Sequence, residues 1–177
     1  MTIDEMIADV LDKEKGYVNH KNDRGGPTNL GITQQTLSHW LGRQATIAEV
    51  KALTKATATK IYKANYYYAP HIDLLPDDIE PILFDISVNS GGSRAIKILQ
   101  QALYDKGYPV GEADGVVGKK TVKYANEWVA ALGGVAIDTL VDYRIKFYRR
   151  VIANDPSQKV FEKGWLARAE SFRVGTA

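Results

Sequence analysis

A mainly α-helical fold follows from three observations in this 177-residue chain. Apolar residues recur at three- and four-residue spacing in segment after segment. Helix-capping residues stand ahead of several of those segments. No stretch sustains the apolar–polar alternation of a half-buried strand. The expected architecture is a helical domain around a central buried helix, with at most a small β-hairpin or loop region near residues 17–32.

Taken in order, Thr2 and Glu5 read as a capping box, followed by Ile3, Met6, Ile7, Val10 and Leu11 at helical spacing. Glu14 falls three residues after Leu11, at the end of that helix on its core-facing side, and Gly16 is the expected stop. Gly25-Gly26-Pro27 forbids a long regular element, so residues 19–31 read as a loop or an irregular hairpin. Thr33 opens a second helix with Leu37, Trp40 and Leu41 inward, and Gly42 ends it. Thr46 and Glu49 form another capping box before Ile47, Val50 and Leu53; Thr54 caps a helix carrying Ala58, Ile61, Tyr62 and Asn65. Asp77 or Asp78 starts a segment apolar nearly all round (Ile79, Ile82, Leu83, Phe84, Ile86, Val88), which is the expected central buried helix, and Gly91-Gly92 ends it. Ser93 caps a helix through Ile96, Leu99, Leu103 and Tyr104; residues 105–120 are a glycine-rich turn region; helices follow at about 119–132, 138–153 and 157–170. There is no internal repeat, low-complexity linker or sharp boundary, so residues 1–177 read as one domain.

Hydrophobic residues make up 45 % of the chain and charged residues 25 %, a globular composition with enough length for a substantial core. The net charge of +2 hides an asymmetry: residues 1–90 carry 9 Lys/Arg against 12 Asp/Glu, and residues 91–177 carry 14 against 9. The surplus lies at Arg144, Lys146, Arg149, Arg150, Lys159, Lys163, Arg168 and Arg173. It reads either as a solvated helix face or as a face for an anionic partner. With no cysteine, disulfides and thiolate metal sites are excluded. His20, His39 and His71 have no metal-ligand spacing, so neither a metal nor another cofactor is expected. Met1–Leu11 is acidic and amphipathic, unlike a secretory signal, and no apolar run is long enough to span a membrane.

The stretch from Glu14 to Thr33 carries the chemistry. A carboxylate at the buried end of a helix is expected to lose solvation and to feel the negative end of the helix dipole, which would keep it protonated. Such a group can protonate a leaving oxygen. Asp23, nine residues on in a polar loop, is expected to stay ionised. Two carboxyl groups in opposite environments are the equipment of a glycoside hydrolase. Thr28 would orient water, and Tyr17, Asn19 and His20 would hydrogen-bond sugar or the acids. The alternative is structural: a helix terminus followed by a turn.

The same stretch resembles the signature of the glycoside hydrolase family 108 muramidases, E-G-G-Y-x-N-x-x-x-D-x-G-G-x-T-N-x-G-I-T. It matches at Glu14, Gly16, Tyr17, Asn19, Asp23, Gly25, Gly26, Thr28, Asn29, Gly31, Ile32 and Thr33. Lys15 replaces a glycine, and Lys21 stands where proline is common. Ile61-Tyr62-Lys63 through Tyr66-Tyr67 resembles the family's I-Y-x-x-x-Y-W segment, with Tyr67 in place of Trp. Phe84 to Gly91 resembles its F-D-x-A-V-N-x-G helix. Leu99 to Leu103 with Asp114 to Thr121 resembles the L-Q-x-x-L and D-G-x-x-G-x-x-T pattern of peptidoglycan-binding segments.

The resemblance implies a lysozyme-like fold, with a catalytic part over residues 1–92 and a helical part over 93–177. It implies an N-acetylmuramidase cleaving the β-1,4 bond between N-acetylmuramic acid and N-acetylglucosamine, with Glu14 as general acid and Asp23, with Thr28, stabilising the transition state. Because many members of the family are phage endolysins, a bacteriolytic, antimicrobial lysis enzyme is expected. It would be a monomer that collects in the host cytoplasm and acts on the periplasmic cell wall. Bacterial peptidoglycan is the expected partner, with the basic C-terminal region meeting an anionic envelope surface.

Asn29, Tyr67, Asp85 and Asn89 join the substrate-binding candidates. Asp85 and Asn89 lie on one helix face. They would either line the cleft or tie the central helix to a loop. Tyr66, Tyr67 and Tyr68 would stack on sugars or divide between core and surface. The Asp114–Thr121 segment would bind wall material or serve as a turn and cap.

Three rival functions stand beside hydrolysis. A lytic transglycosylase also uses one Glu, but has no need of Asp23 to orient water. A non-catalytic wall-binding protein would hold sacculi without clearing them. Gly31 to Ser38 looks like the recognition helix of a helix-turn-helix protein, yet no Arg or Lys precedes Arg43, so no nucleic-acid partner is expected.

Overall fold

The computed structural model describes residues 1–14, 16–19 and 26–175, and the chain divides into two compact units, Met1–Asn65 and Tyr66–Ala177. Both are built mainly of α-helix, with one two-stranded antiparallel sheet among the described residues.

In the first unit, helix α1 (Ile3–Lys13) begins at the expected capping box. Thr2 Oγ1 accepts the Glu5 amide at 3.2 Å, and the Glu5 carboxylate accepts the Thr2 amide at 2.6 Å. Met6, Ile7, Val10 and Leu11 are buried. The helix ends three residues before Gly16, because Glu14 already has extended backbone (φ −84°, ψ 139°) while its amide still bonds the Val10 and Leu11 carbonyls. Strands β1 (Thr28–Asn29) and β2 (Ile32–Thr33) pair with Thr28 opposite Thr33, and Val18 bridges to the outer side of Thr28. Helix α2 (Gln34–Leu41) is capped by Thr33 and leaves through left-handed Gly42.

Leu37 is buried in α2, but Trp40 and Leu41 are 38 % and 40 % exposed, contrary to the inward placement expected for all three. The helix is eight residues long and rests on β2 and the five-residue α3 (Ile47–Lys51), too little partner surface to cover its last turn. Helix α3 has the expected capping box at Thr46 and Glu49, whereas Ile47 is exposed. Helix α4 (Lys55–Tyr62) is capped by Thr54, packs on α1 and passes into an unexpected π-helical turn at Lys63–Tyr68.

In the second unit, a 3₁₀ turn at Asp77–Ile79 precedes α5 (Glu80–Ser90), which has a proline in its first turn. Seven of its eleven residues are buried, as expected of the central helix. Gly91 (φ 92°) turns the chain directly into α6 (Gly92–Asp105), so the helix starts ahead of Ser93, the expected cap. Helices α7 (Lys119–Leu132) and α8 (Gly134–Asn154) are separated by Gly133 alone, whose φ of 53° lets α8 begin four residues earlier than expected. The expected last helix divides into a 3₁₀ turn (Pro156–Phe161) and α9 (Glu162–Glu170). Helix α5 packs on α6 and α8, and α8 packs on α6, α7 and α9. Among the described residues, no helix is long and apolar enough to cross a membrane.

Candidate active site

Glu14 is the C-cap of α1 and is half-buried. What faces it is set by the β1–β2 hairpin. Its two-residue turn, Leu30-Gly31, has φ of 54° and 77°, as a tight hairpin that matches strand twist requires. Gly31 makes the close approach possible: a Cβ there would stand 3.0 Å from the Glu14 carboxyl carbon and would collide with the Tyr62 hydroxyl. Leu30 pays a conformational cost that glycine would not, and its carbonyl is held by the Tyr62 hydroxyl, which donates at 2.8 Å. Tyr62 is fully buried in α4. The turn is therefore pinned between α4 and the end of α1.

The other side of the hairpin is tied to α3. Asn29 is buried, and its Nδ2 donates to the carbonyls of Val50 and Lys51 at 3.0 and 3.1 Å, joining the Leu53 amide at Val50 and satisfying Lys51 at the helix end. Thr28 is half-buried; it exchanges backbone hydrogen bonds with Val18, and its hydroxyl donates to the Gly26 carbonyl at 3.2 Å. Tyr17 is half-buried with the Lys51 ammonium 5.2 Å from its ring centroid, and Asn19 is exposed. His20 and Asp23 lie outside the described residues.

The remaining three candidates belong to the second unit. Tyr67 is only 8 % exposed, and its hydroxyl donates to buried Glu80 at 2.9 Å. Burial is the main force that raises the Glu80 carboxyl above its ordinary range, while the Tyr67 hydrogen bond pulls the other way. The Tyr67 hydroxyl is itself raised, first by burial and then by that carboxylate.

Asp85 is 3 % exposed and is engaged by two cations. Fully buried Arg144 of α8 donates Nη2 to Oδ2 at 2.6 Å, and Arg168 of α9 donates Nη2 to Oδ1 at 2.8 Å. Arg144 Nε donates in turn to the Tyr148 hydroxyl at 2.9 Å. With its carboxamide oxygen toward the guanidinium groups, Asn89 accepts from Arg144 at 2.9 Å and Arg168 at 3.1 Å. Asp85 and Asn89 thus do share a helix face, and that face binds α8 and α9. Asn89 also reaches an open depression of about 280 Å³ bordered by Phe147, Tyr148 and Trp165.

Two further positions belong to the site: Tyr62, in sequence a helix-face residue and a motif match, and Gly31, a motif match, neither of which sequence gives a role there. The signal for Gly31 is a glycine two residues after Asn29 and directly before Ile32, the place of a hairpin turn. In sequence Arg144 and Arg168 count toward a basic face, although one Asp inside an apolar helix calls for a buried cation elsewhere. The Asp114–Thr121 segment is an architectural clasp. Buried Gln100 of α6 donates to Asp114 Oδ1, the Val116 carbonyl and Thr121 Oγ1 at 3.0, 2.9 and 3.2 Å, and accepts the Gly115 amide at 2.9 Å. Among the described residues, no group of three or more His, Asp or Glu is placed to hold a metal ion.

Comparison with known proteins divides the chain at Gly91-Gly92. Residues 7–91 match the family described as glycosyl hydrolase 108, and residues 94–170 match one described as a predicted peptidoglycan domain. The chain is similar to the solved structure of Brucella abortus SagA, with a TM-score of 0.80 and 37 % identity over 97 % of this chain and 91 % of that one. No curated protein matches.

Proposed function

The chain belongs to the glycosyl hydrolase 108 family and is a glycoside hydrolase acting on peptidoglycan, and from that premise we propose that it is an N-acetylmuramidase with Glu14 as its general acid. The bond cleaved is the β-1,4 link between N-acetylmuramic acid and N-acetylglucosamine. The observation that carries this reading is the carboxyl of Glu14 at the exit of α1, facing a hairpin turn whose second residue, Gly31, has no room for a side chain and whose Leu30 carbonyl Tyr62 holds in place. A proton donor must be held within hydrogen-bond reach of the leaving oxygen, and a side chain mounted on a helix end against a pinned turn meets that need.

In the proposed reaction Glu14 protonates the leaving glycosidic oxygen. Asp23, with Thr28, steadies the positive charge that develops on the sugar and positions the attacking water. Tyr17 and Asn19 flank the hairpin and are the proposed sugar contacts there, with His20 beside them in sequence. The proposed biological role is that of an endolysin that acts as a monomer on the host wall, supported by the family's many phage members.

Purified peptidoglycan exposed to wild type and to Glu14→Gln tests the chemistry. Wild type is expected to release hydrated, reducing-end muropeptides, and the variant to release them about 100-fold more slowly or worse, the scale of a lost general acid. Anhydro ends in the wild-type products would assign a lytic transglycosylase. Equal release by the variant would move the catalytic acid away from Glu14.

A further inference from the structure

The second unit holds a groove that the hydrolytic reading does not use. It runs between α6 and α8 and the loop at residues 111–113, as three adjoining depressions of about 410, 400 and 190 Å³ that all border Gln101. Arg94 and Lys97 line it from α6, and Lys146, Arg149 and Arg150 from α8. The spacing explains the convergence: 94, 97 and 101 share one face of α6, and 143, 146 and 150 share one face of α8.

Among the described residues, none of these five cations is in an ion pair; the carboxylates of this unit that bind arginine take Arg144, Arg168 and Arg173 instead. Two carboxylates border the groove, Asp105 and Glu112. Asp105 is already engaged: Tyr143 donates its hydroxyl to it at 2.6 Å and Gln101 its amide at 2.8 Å. That arrangement fixes Tyr143 and Gln101 at the border of the groove. Arg94 is stacked over the Phe147 ring at 4.9 Å and Lys146 over the Tyr143 ring at 4.7 Å, which holds the two cations over aromatic faces at little cost in entropy.

We infer that this groove binds the carboxylate-bearing stem peptides of peptidoglycan, and so is a substrate-anchoring site separate from the glycan chemistry of Glu14. The inference rests on the chain's action on peptidoglycan. Every residue of the groove lies within the segment matching a peptidoglycan domain. Five unpaired cations facing two carboxylates select an acidic ligand, whereas the sugar backbone offers hydroxyls and amides. The cations line hollows; a flat lipid headgroup surface would be met by a convex face. Peptide stems carry free carboxylates on flexible chains that can enter such hollows, where the Gln101 carboxamide oxygen, its nitrogen held by Asp105, can accept a backbone N–H.

The test uses the full chain carrying Glu14→Gln, so that binding is measured without digestion. Sedimentation with intact sacculi is measured with and without an excess of soluble stem peptide released from sacculi by an amidase. Arg149→Glu/Arg150→Glu is expected to weaken binding to intact sacculi at least 10-fold, and Lys146→Gln/Arg150→Gln less, with circular dichroism unchanged. The soluble stem peptide should weaken binding of the parent at least 10-fold. Undiminished binding by the charge-reversed variant, or no competition by the soluble stem peptide, would overturn the proposal. So would a loss confined to phosphatidylglycerol vesicles, which would assign the groove to a membrane. Muropeptide release by Arg149→Glu/Arg150→Glu with Glu14 restored is followed separately, so that failure of the hydrolase reading cannot be mistaken for failure of this one.

Discussion

Gly31 stands where no side chain fits. Its left-handed backbone would cost alanine about 1–2 kcal/mol, and the added methyl would strike the Tyr62 hydroxyl and the Glu14 carboxyl. Gly31→Ala should lower the unfolding free energy measured in urea by at least that amount and reduce muropeptide release more than stability alone explains. Normal release from the folded variant would show that Glu14 tolerates displacement. Glu80 gives a second residue-scale expectation. Burial raises its carboxyl above the ordinary 4.5, so the native state holds its proton to higher pH than the unfolded chain does. Stability from this group is present at acid pH and is lost as pH rises from about 4.5 through the raised value. In thermal melts across that window, Glu80→Gln should lack the wild type's decline. Parallel curves for the two proteins would remove burial of Glu80 as a source of pH sensitivity.

At the scale of elements, one carboxylate joins three helices. Asp85 of α5 receives Arg144 from α8 and Arg168 from α9. Removing it leaves Arg144, fully buried, without its anion. Asp85→Ala should therefore cost about 3–5 kcal/mol in denaturant unfolding, far beyond an exposed pair. The contrast within the chain is Arg43–Glu49, which lies at the surface, where solvent screening leaves an ion pair little to contribute. A loss of less than about 1 kcal/mol in Asp85→Ala would mean that Arg144 finds another partner or water. The hairpin is held by the same logic in neutral groups, with Tyr62 on Leu30 and Asn29 on the last carbonyls of α3.

For the molecule as a whole, charge is unevenly divided, with the surplus of cations in residues 91–177. Three of the eight cations first assigned to a basic face are spent internally: Arg144 and Arg168 on Asp85, and Arg173 on Asp142 and Glu170. The remaining cations of residues 91–177 are the five of the α6–α8 groove with Lys106, Lys119, Lys120, Lys123, Lys159 and Lys163. Attraction to an acidic wall should weaken as salt rises from about 0.01 to about 1 M, over which the Debye length falls from about 30 to about 3 Å. Clearing of sacculi by wild type is expected to slow across that range. A constant rate would deny long-range charge any part in wall association.

The sequence by itself determined the helix starts at Thr2, Thr33, Thr46 and Thr54, the buried α5 and the order of motifs that places the family. These depend on residues three or four apart, or on an unbroken apolar run, and both are written locally. Tertiary structure alone decided that Tyr62 holds Leu30 across 32 positions, that Asp85 takes arginines 59 and 83 positions away, and that cations of α6 and α8 face one groove. A buried polar group announces in sequence that it needs a partner, but which partner it meets is settled only when whole helix faces pack.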